Sequence, residues 1–261
     1  MKVGVVQMDC RPGNAEANLE TLASFAEKAG REGCDVVVFP EMIDTGYDMA
    51  VIKETAATWE EKPFLQVQRC AVTNRIHIIC SLSERSGGRI FNTTLVMDPE
   101  GNPIGKYRKN HLADYPPLNE GSCITPGDSL EMVEIGNLSF GLTICYDLRF
   151  PEMNRQLALM GADVLVLSSA WPLQRLRHWN TLISARAIEN QVYLVAANRV
   201  GTDGSTTFCG SSRVIDPYGV TVAAAAEEGE TLITGTIDRA LIGHVREKMP
   251  VFRHRTDLDR L

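Results

Sequence analysis

The segment from Ser139 to Glu152, SFGLTICYDLRFPE, constrains the fold more than any other part of this chain. An apolar run stops abruptly at Cys145, and Pro151 marks the start of a predicted helix a few residues later. A strand therefore delivers a thiol to its own carboxyl end. We expect the turn from strand to helix to expose the sulfur, and a helix amino terminus favours the thiolate.

Two further apolar runs end at a chemically active group in the same way. Residues 36–39 lead through a proline to Glu41, and residues 104–108 lead directly to Lys109. In open α/β sheets, ligands bind just beyond the carboxyl ends of the strands. A thiol, a carboxylate and an ammonium that meet at such an edge would form a nucleophile, its base and an oxyanion stabiliser.

Each of these residues also has a simpler interpretation. Most free cysteines are small, buried, hydrophobic residues, and a carboxylate at a strand end or a lysine in a basic stretch is ordinary. Glu41 alone or Lys109 alone would be assigned to that simpler class. The recurrence of complementary groups at three strand ends is what favours a catalytic site.

Length and composition predict one globular domain over residues 1–261. The net charge of −7, with acidic and basic residues interspersed, argues against nucleic-acid binding. No segment has the length and apolarity of a membrane span, and the amino terminus lacks a signal-peptide pattern. The seven cysteines are scattered without a Cys-x-x-Cys pair, so we predict neither a disulfide framework nor a metal site. We expect a cytoplasmic protein that binds small molecules or copies of itself.

Hydrophobic periodicity predicts an α/β protein in which helices cover the sheets. Helices are expected at residues 15–30, 64–74, 151–160 and 173–190. Strands are expected at residues 3–8, 36–39, 76–82, 139–144, 164–167 and 192–196. Two hairpins with Asp-Pro-x-Gly turns, at residues 93–107 and 213–223, each follow a strand, helix, strand pattern, which suggests two diverged copies of one unit. The long polar loops at residues 110–128 and 198–208 are expected to carry function.

Three blocks around the candidate residues resemble the signature motifs of the nitrilase superfamily of carbon-nitrogen hydrolases. They are VVFPE ending at Glu41, GKYRKNHL around Lys109 and GLTICYDLRFPE around Cys145. The resemblance extends over residues 3–252. It implies a four-layer α-β-β-α sandwich with Glu41 as general base, Lys109 as stabiliser of the tetrahedral intermediate and Cys145 as nucleophile. A second glutamate is usual in the loop after the lysine, and Glu120 falls at that place.

The resemblance implies covalent catalysis that needs no metal and no organic cofactor. Cys145 would attack an amide carbon, ammonia would leave, and water would hydrolyse the resulting thioester. Lys109 and the backbone N–H of Tyr146 would hold the oxyanion. Further motifs, including SAWP at residues 169–172 and NRVGTDG at residues 198–204, are most similar to the ω-amidases, which hydrolyse the terminal amide of 2-oxoglutaramate and related dicarboxylic acids.

Four side chains are candidates for the substrate pocket, namely Tyr47, Tyr146, Arg149 and Trp171. An ω-amide carries a carboxylate at its far end, which the Arg149 guanidinium or the Tyr47 hydroxyl would bind if it faces the pocket. The resemblance also predicts a homodimer. The apolar tail at residues 249–252 points the same way, because it has no obvious partner within its own segment.

Several alternatives remain open at this point. Within the superfamily, a deaminated-glutathione amidase, an N-carbamoyl hydrolase and a nitrilase fit the same motifs. A different class would be a cysteine hydrolase that uses His111 or His178 as its base, although Glu41 and Lys109 would then have no role. The last alternative is a catalytically silent interaction module of the same fold.

Overall fold

The computed structural model describes residues 1–204 and 206–256. Its strands are β1 (Lys2–Gln7), β2 (Val36–Val38), β3 (His77–Ser86), β4 (Arg89–Met97), β5 (Pro103–Arg108), β6 (Met132–Ile135), β7 (Leu138–Ile144), β8 (Val164–Ser169), β9 (Tyr193–Asn198), β10 (Thr202–Asp203), β11 (Thr206–Thr207), β12 (Arg213–Ile215), β13 (Thr221–Ala224) and β14 (Thr231–Thr236). Within the described residues they form two six-stranded sheets, ordered β14-β1-β2-β3-β4-β5 and β13-β12-β9-β8-β7-β6. Strands β10 and β11 form a separate short hairpin.

The two sheets share one topology. In the first sheet, β1, β2 and β3 are parallel, the hairpin β4–β5 extends one side, and β14 pairs antiparallel with β1. In the second sheet, β7, β8 and β9 are parallel, the hairpin β12–β13 extends one side, and β6 pairs antiparallel with β7. The two Asp-Pro-x-Gly hairpins therefore occupy matching positions, which supports the predicted internal duplication.

Side-chain alternation along the strands assigns each face to a layer. Val36 and Val38 lie in the cluster between the two sheets, whereas Val37 lies in the cluster under the outer helices. The helices are α1 (Ala15–Arg31), α2 (Met49–Thr55), α3 (Lys62–Asn74), α4 (Pro151–Met160), α5 (Leu176–Asn190) and α6 (Arg239–Lys248). Helices α1 and α3 cover the first sheet, and α4 and α5 cover the second. The predicted α-β-β-α sandwich is confirmed.

The elements that the sequence pattern predicted are present, with shifts at their ends. Helix α4 starts at Pro151 and ends before Gly161, whose φ of 112° lies in the left-handed region that a helix C-terminus often uses. The predicted helix at residues 173–190 begins as a 3-10 turn at Leu173–Arg175 and continues as α5. Helices α2 and α6 and strands β6 and β14 were not predicted. Strand β14 is placed by pairing with β1 from the opposite end of the chain, which local periodicity does not reveal.

The apolar tail packs on its own chain. Phe252 is partly buried against the main core, and the guanidiniums of Arg155 and Arg246 lie 5.2 and 5.4 Å from its ring centroid. The partners of Phe252 lie outside its own segment but on the same chain, so the tail gives no separate support for a homodimer, which stays a prediction. Among the helices of residues 1–204 and 206–256, none is both long and apolar enough to cross a bilayer.

Candidate active site

The three predicted strand ends meet at one edge of the sandwich. Lys109 follows β5 directly, Cys145 follows β7 directly, and Glu41 lies just beyond β2. The side chains of Glu41 and Lys109 are fully buried. The backbone N–H of Glu41 donates to the carbonyl of Ser169 at 3.4 Å, so the end of the first sheet is tied to the end of β8 in the second. Residues from both sheets therefore build the site.

The carboxylate of Glu41 is held on both oxygens. Its Oε1 accepts hydrogen bonds from Asn92 Nδ2 at 2.7 Å and from Lys109 Nζ at 2.9 Å. Its Oε2 accepts from the backbone N–H of Ala170 at 2.9 Å, and the Cys145 thiol lies close enough to lower the pKa of this carboxyl. A carboxylate so fixed beside a thiol has the geometry of a general base. Asn92 was not among the predicted site residues.

Lys109 lies between two carboxylates. Its Nζ donates to Glu41 Oε1 at 2.9 Å and to Glu120 Oε1 at 2.6 Å. The loop after β5 folds back so that Glu120, at the start of a short 3-10 turn, also accepts from the backbone N–H of Ala113 at 2.5 Å. Glu120 is fully buried. One ammonium and two carboxylates thus lie together in a fully buried position.

Burial shifts the proton affinities of these groups. It raises the pKa of Glu41, although the Lys109 ammonium works in the opposite direction. Burial alone would lower the pKa of Lys109, but the carboxylates of Glu120 and Glu41 raise it well above its ordinary value. The lysine is therefore a fixed cation, while Glu41 has gained affinity for a proton. A base with raised pKa beside a permanent cation suits proton transfer from a thiol.

The thiol itself differs from the sequence-based expectation. Cys145 is only 6% exposed, and burial raises the pKa of its thiol well above the usual range, with the nearby Glu41 carboxylate acting in the same direction. The prediction of an exposed sulfur in thiolate form was wrong. It was drawn from a helix amino terminus, whereas Cys145 opens a 3-10 turn, Cys145–Arg149, beneath other side chains. The thiol requires a base, and Glu41 is in place to be that base.

The backbone at Cys145 is strained. Its φ of 41° lies in the left-handed region, which costs a non-glycine residue roughly 1–2 kcal/mol. Asp147 stabilises this turn, because its Oδ2 accepts from the backbone N–H of Ile144 at 2.9 Å and from the Tyr107 hydroxyl at 2.7 Å. Its Oδ1 accepts from the backbone N–H of His111 at 3.1 Å. Asp147 thereby ties the cysteine turn to the segment that carries Lys109.

The two histidines proposed as alternative bases have other partners. The Nδ1 of His111 lies 2.8 Å from Asp147 Oδ1, and its ring stacks on Phe150 with centroids 3.7 Å apart. The Nδ1 of His178 lies 3.4 Å from Arg149 Nη1. Neither ring makes a hydrogen bond to Cys145 within the described residues. The geometry favours Glu41 over a histidine as the partner of the thiol.

A narrow cavity of about 10 Å³ opens onto the cysteine. It is lined by Ala113, Tyr115, Leu118, Cys145, Tyr146, Arg149, Trp171, Pro172 and Arg175. The Arg149 guanidinium lies over the Trp171 ring at 4.5 Å, and that of Arg175 lies over Tyr115 at 5.1 Å. Three of the four predicted pocket residues are therefore present. The sequence reasoning missed Arg175, whose only signal was a positive charge shortly after the SAWP motif.

Tyr47, the fourth predicted pocket residue, lies on the other side of Glu120. Its hydroxyl donates to Glu120 Oε1 at 2.6 Å, and its ring packs edge-on against Phe208. It lines a larger cavity of about 780 Å³, which Leu118 separates from the cavity at Cys145. We place the chemistry in the smaller cavity, because that one contains the thiol. A role for Tyr47 in binding substrate stays a prediction.

Comparisons with known proteins agree with this geometry. Residues 2–247 match the family model for carbon-nitrogen hydrolase. The chain is 35% identical over 251 residues to a 2-oxoglutaramate amidase of Bacillus subtilis, covering 96% of this chain and 95% of the relative. It is 34% identical over 249 residues to a deaminated glutathione amidase of Escherichia coli O157:H7, covering 92% of each.

A solved structure shares the whole architecture. Nit3 of Saccharomyces cerevisiae, a member of branch 10 of the nitrilase superfamily, superposes with a TM-score of 0.89 at 29% identity, covering 100% of this chain and 97% of the yeast chain. The family match extends over nearly the full length, and both amidases named above align across more than nine-tenths of it. The chain therefore belongs to the carbon-nitrogen hydrolase family, within the nitrilase superfamily, and is an amide-hydrolysing enzyme.

Proposed function

We propose that this enzyme is an ω-amidase that hydrolyses short amides carrying a carboxylate at the far end, such as 2-oxoglutaramate or succinamate. The observation that carries this proposal is the cavity at Cys145, where two guanidiniums, those of Arg149 and Arg175, line the same narrow space as the thiol. The 35% identity to a 2-oxoglutaramate amidase supports the same substrate class.

In the proposed first half-reaction, Glu41 takes the proton of the Cys145 thiol as the sulfur attacks the amide carbon. The two groups are neighbours in the buried site, so the proton has a short path from sulfur to carboxylate. The carbonyl oxygen gains negative charge, which the Lys109 ammonium and the backbone N–H of Tyr146 would stabilise. Glu41 then returns its proton to the nitrogen, the carbon–nitrogen bond breaks, and ammonia leaves a thioester on Cys145.

In the second half-reaction, a water molecule takes the place of ammonia. Glu41 accepts a proton from this water as its oxygen attacks the thioester carbonyl, and the same donors hold the second oxyanion. The carbon–sulfur bond breaks, the acid is released, and the proton returns from Glu41 to the Cys145 sulfur. Lys109 stays charged throughout, because two carboxylates raise its pKa.

Glu120 would act through Lys109. Its Oε1 accepts from the ammonium at 2.6 Å and from the Tyr47 hydroxyl at 2.6 Å, which fixes the lysine side chain from the side opposite Glu41. A fixed ammonium can stabilise an oxyanion without reorganising during the reaction. We propose Glu120 and Tyr47 as positioning residues of the site.

Substrate preference would arise from the two arginines. A guanidinium pairs with a carboxylate through charge-assisted hydrogen bonds, worth roughly 1.5–3 kcal/mol each. The Arg149 guanidinium already lies over the Trp171 ring, and that of Arg175 over Tyr115, so little side-chain freedom is lost when a substrate binds. A carboxylate held between them would place the amide at the far end of a short chain near the thiol.

The test is ammonia release across a panel of amides. We expect 2-oxoglutaramate and succinamate to be hydrolysed with a kcat/KM about 10- to 100-fold above that of butyramide. Arg149→Ala and Arg175→Ala should each reduce this preference, mainly through KM. Arg177→Ala is a matched control, because Arg177 is exposed, lies two residues after Arg175 at the start of α5 and does not line the cavity. Equal rates on butyramide and succinamate would contradict the proposal that the arginines bind the substrate carboxylate. Only the broader amidase activity would then remain.

A deaminated-glutathione amidase is the second candidate, favoured by the 34% identity to such an enzyme. Its substrate is much longer than 2-oxoglutaramate, so the same panel should include it together with N-carbamoyl compounds and nitriles. A kcat/KM for deaminated glutathione above that for 2-oxoglutaramate would replace the ω-amidase proposal.

We also propose that the enzyme works as a homodimer in the cytoplasm. All seven cysteines are free, as expected in a reducing compartment. Large apolar side chains remain exposed at the end of α4 and on α5, namely Leu159, Met160 and Ile188, which are 40%, 48% and 46% exposed. Light scattering at micromolar concentration should give the mass of a dimer, and a monomer mass would contradict the proposal.

A further inference from the structure

Ser169, the last residue of β8, carries a buried hydroxyl with no assigned use. The residue is fully buried, and its Oγ makes no hydrogen bond within the described residues. Burying a hydroxyl without a partner costs free energy, so such groups are uncommon in folded proteins. The neighbouring Ser168 shows the ordinary arrangement, because its Oγ donates to the Phe39 carbonyl at 2.8 Å.

The position of Ser169 places this hydroxyl in the candidate active site. Strands β7 and β8 are parallel, with Ile144 opposite Ser168, so Cys145 and Ser169 follow at the same sheet edge. The Ser169 carbonyl accepts from the backbone N–H of Glu41 at 3.4 Å, and the next residue, Ala170, donates to Glu41 Oε2. Ser169 therefore borders both the segment that carries the proposed base and the strand end that carries the proposed nucleophile.

The hydroxyl also lies close enough to the thiol to affect its pKa, although it makes no hydrogen bond to the neutral thiol. Burial raises the pKa of Cys145, and the Glu41 carboxylate raises it further, whereas the Lys109 ammonium and the Ser169 hydroxyl lower it. A hydroxyl is a better donor to a charged sulfur than to a neutral one, since charge-assisted hydrogen bonds are the strong ones. The Ser169 hydroxyl would thus gain a strong hydrogen-bond acceptor only when the Cys145 sulfur carries negative charge.

We propose that Ser169 stabilises the thiolate of Cys145, by donating its Oγ–H to the sulfur when Glu41 removes the thiol proton and again when the thioester breaks. The proposal rests on the proposed role of Cys145 as nucleophile. In the first step the sulfur keeps the electron pair of the broken S–H bond, and the proton goes to Glu41. In the second, the carbon–sulfur bond breaks and its electron pair returns to the sulfur. Ser169 keeps its own proton in both steps.

The proposal explains why an unpaired hydroxyl persists in a core position. An interaction made only in a charged, transient state stabilises that state and not the resting fold. Stability and activity should therefore respond in opposite directions when the hydroxyl is removed.

The decisive variant is Ser169→Ala, tested by the rate at which iodoacetamide alkylates Cys145 as a function of pH. We expect the alkylation profile to shift to higher pH and kcat for amide hydrolysis to fall about 10- to 100-fold, with KM nearly unchanged. Thermal unfolding should occur at the same or a higher temperature. Ser169→Thr keeps the hydroxyl, so it should restore both the alkylation profile and kcat.

Ser168→Ala is the matched control, because it removes a hydroxyl one residue away that has a structural partner. It should lower the unfolding temperature and leave the alkylation profile unchanged. Alkylation requires no substrate, so a wrong substrate assignment would not affect this test. A wild-type alkylation profile and kcat in Ser169→Ala would overturn the proposal, and so would a loss of activity with an unshifted profile and a lower unfolding temperature.

Discussion

Two adjacent residues, Arg108 and Lys109, leave the end of β5 toward different carboxylates, and the two resulting clusters behave differently. Arg108 donates through Nε and Nη2 to the two oxygens of Glu84, each at 2.8 Å. Lys109 donates to Glu41 and Glu120 in the active site. Both clusters contain buried carboxylates. In the first, several donors surround the single carboxylate of Glu84. In the second, the single ammonium of Lys109 faces two carboxylates and cannot neutralise both.

The pKa values of Glu84 and Glu41 are shifted in opposite directions as a result. Burial would raise the pKa of Glu84, but hydrogen bonds from Arg108, Trp59 and Thr93 lower it to about 2. The pKa of Glu41 is raised, because it is more deeply buried and shares one ammonium with Glu120. A carboxylate surrounded by donors stabilises the fold and is inert as a base. A fully buried carboxylate that shares its cation with a second carboxylate, as Glu41 does, keeps the capacity to accept a proton.

The largest expected effect is the loss of turnover when the active-site cysteine is replaced. Cys145→Ala should reduce turnover about 10,000-fold or more, as removal of a nucleophile does, while the protein stays folded. Circular dichroism checks the fold. Mass spectrometry of the wild type with a slow substrate should show an acyl adduct on Cys145, and an adduct on Cys123 or Cys209 would contradict the assignment.

Replacing the lysine by arginine in one cluster, and the arginine by lysine in the other, tests the difference between the two clusters. Lys109→Arg should lower kcat about 100-fold or more, because a planar guanidinium places its donors differently from a compact ammonium at the oxyanion. The matched variant Arg108→Lys keeps a charge but loses the two parallel hydrogen bonds to Glu84. It should lower the unfolding temperature and leave kcat near the wild-type value. Wild-type activity in Lys109→Arg would contradict the proposed role of Lys109 and support the simpler interpretation, in which it is part of an ordinary basic stretch.

Removing a carboxylate from each cluster should separate stability from activity. Glu84→Gln leaves Arg108 without its ionic partner and should lower the free energy of unfolding by about 3 kcal/mol, measured by urea denaturation. Its kcat should be close to that of the wild type. Glu120→Gln should lower kcat severely, because it loosens Lys109. If Glu120→Gln is neutral, the loop after β5 does not position the lysine.

The two carboxylates should also respond to different ranges of pH. Because the pKa of Glu41 is raised above its ordinary value of 4.5, kcat/KM should fall with decreasing pH at a midpoint above 4.5. The folded pKa of Glu84 is depressed, so its contribution to stability is complete above its unfolded value and is lost as pH falls toward about 2. Activity should therefore disappear while circular dichroism still reports folded protein. Simultaneous loss of both would contradict the comparison.

The smallest expected effect concerns Tyr47. Its hydroxyl is bonded to Glu120, so Tyr47→Phe should lower kcat by about 10-fold through a less well fixed Lys109, with little change in KM. The earlier interpretation, in which the hydroxyl binds the substrate carboxylate, predicts instead a rise in KM larger than the fall in kcat. Steady-state kinetics on succinamate decides between the two.

Local sequence patterns predicted an α/β protein and three candidate site residues, whereas the four-layer arrangement and Glu120 came from the resemblance to a known family. Strand periodicity and strand ends identified Glu41, Lys109 and Cys145, and resemblance added Glu120; the structure brings all four together. This works because a strand's carboxyl end is a local feature, and parallel strands bring such ends to one edge.

The environment of those residues was decided by tertiary structure. Burial, which depends on packing of the whole chain, keeps Cys145 protonated and raises the proton affinity of Glu41, and no local pattern reveals either shift. The same holds for Arg175 and Ser169, which reach the site from segments distant in sequence. The sequence by itself indicated that Glu41, Lys109 and Cys145 lie at strand ends that share one sheet edge. The three-dimensional arrangement decided their charge states, because desolvation and neighbouring charges set a pKa and both are properties of the folded protein.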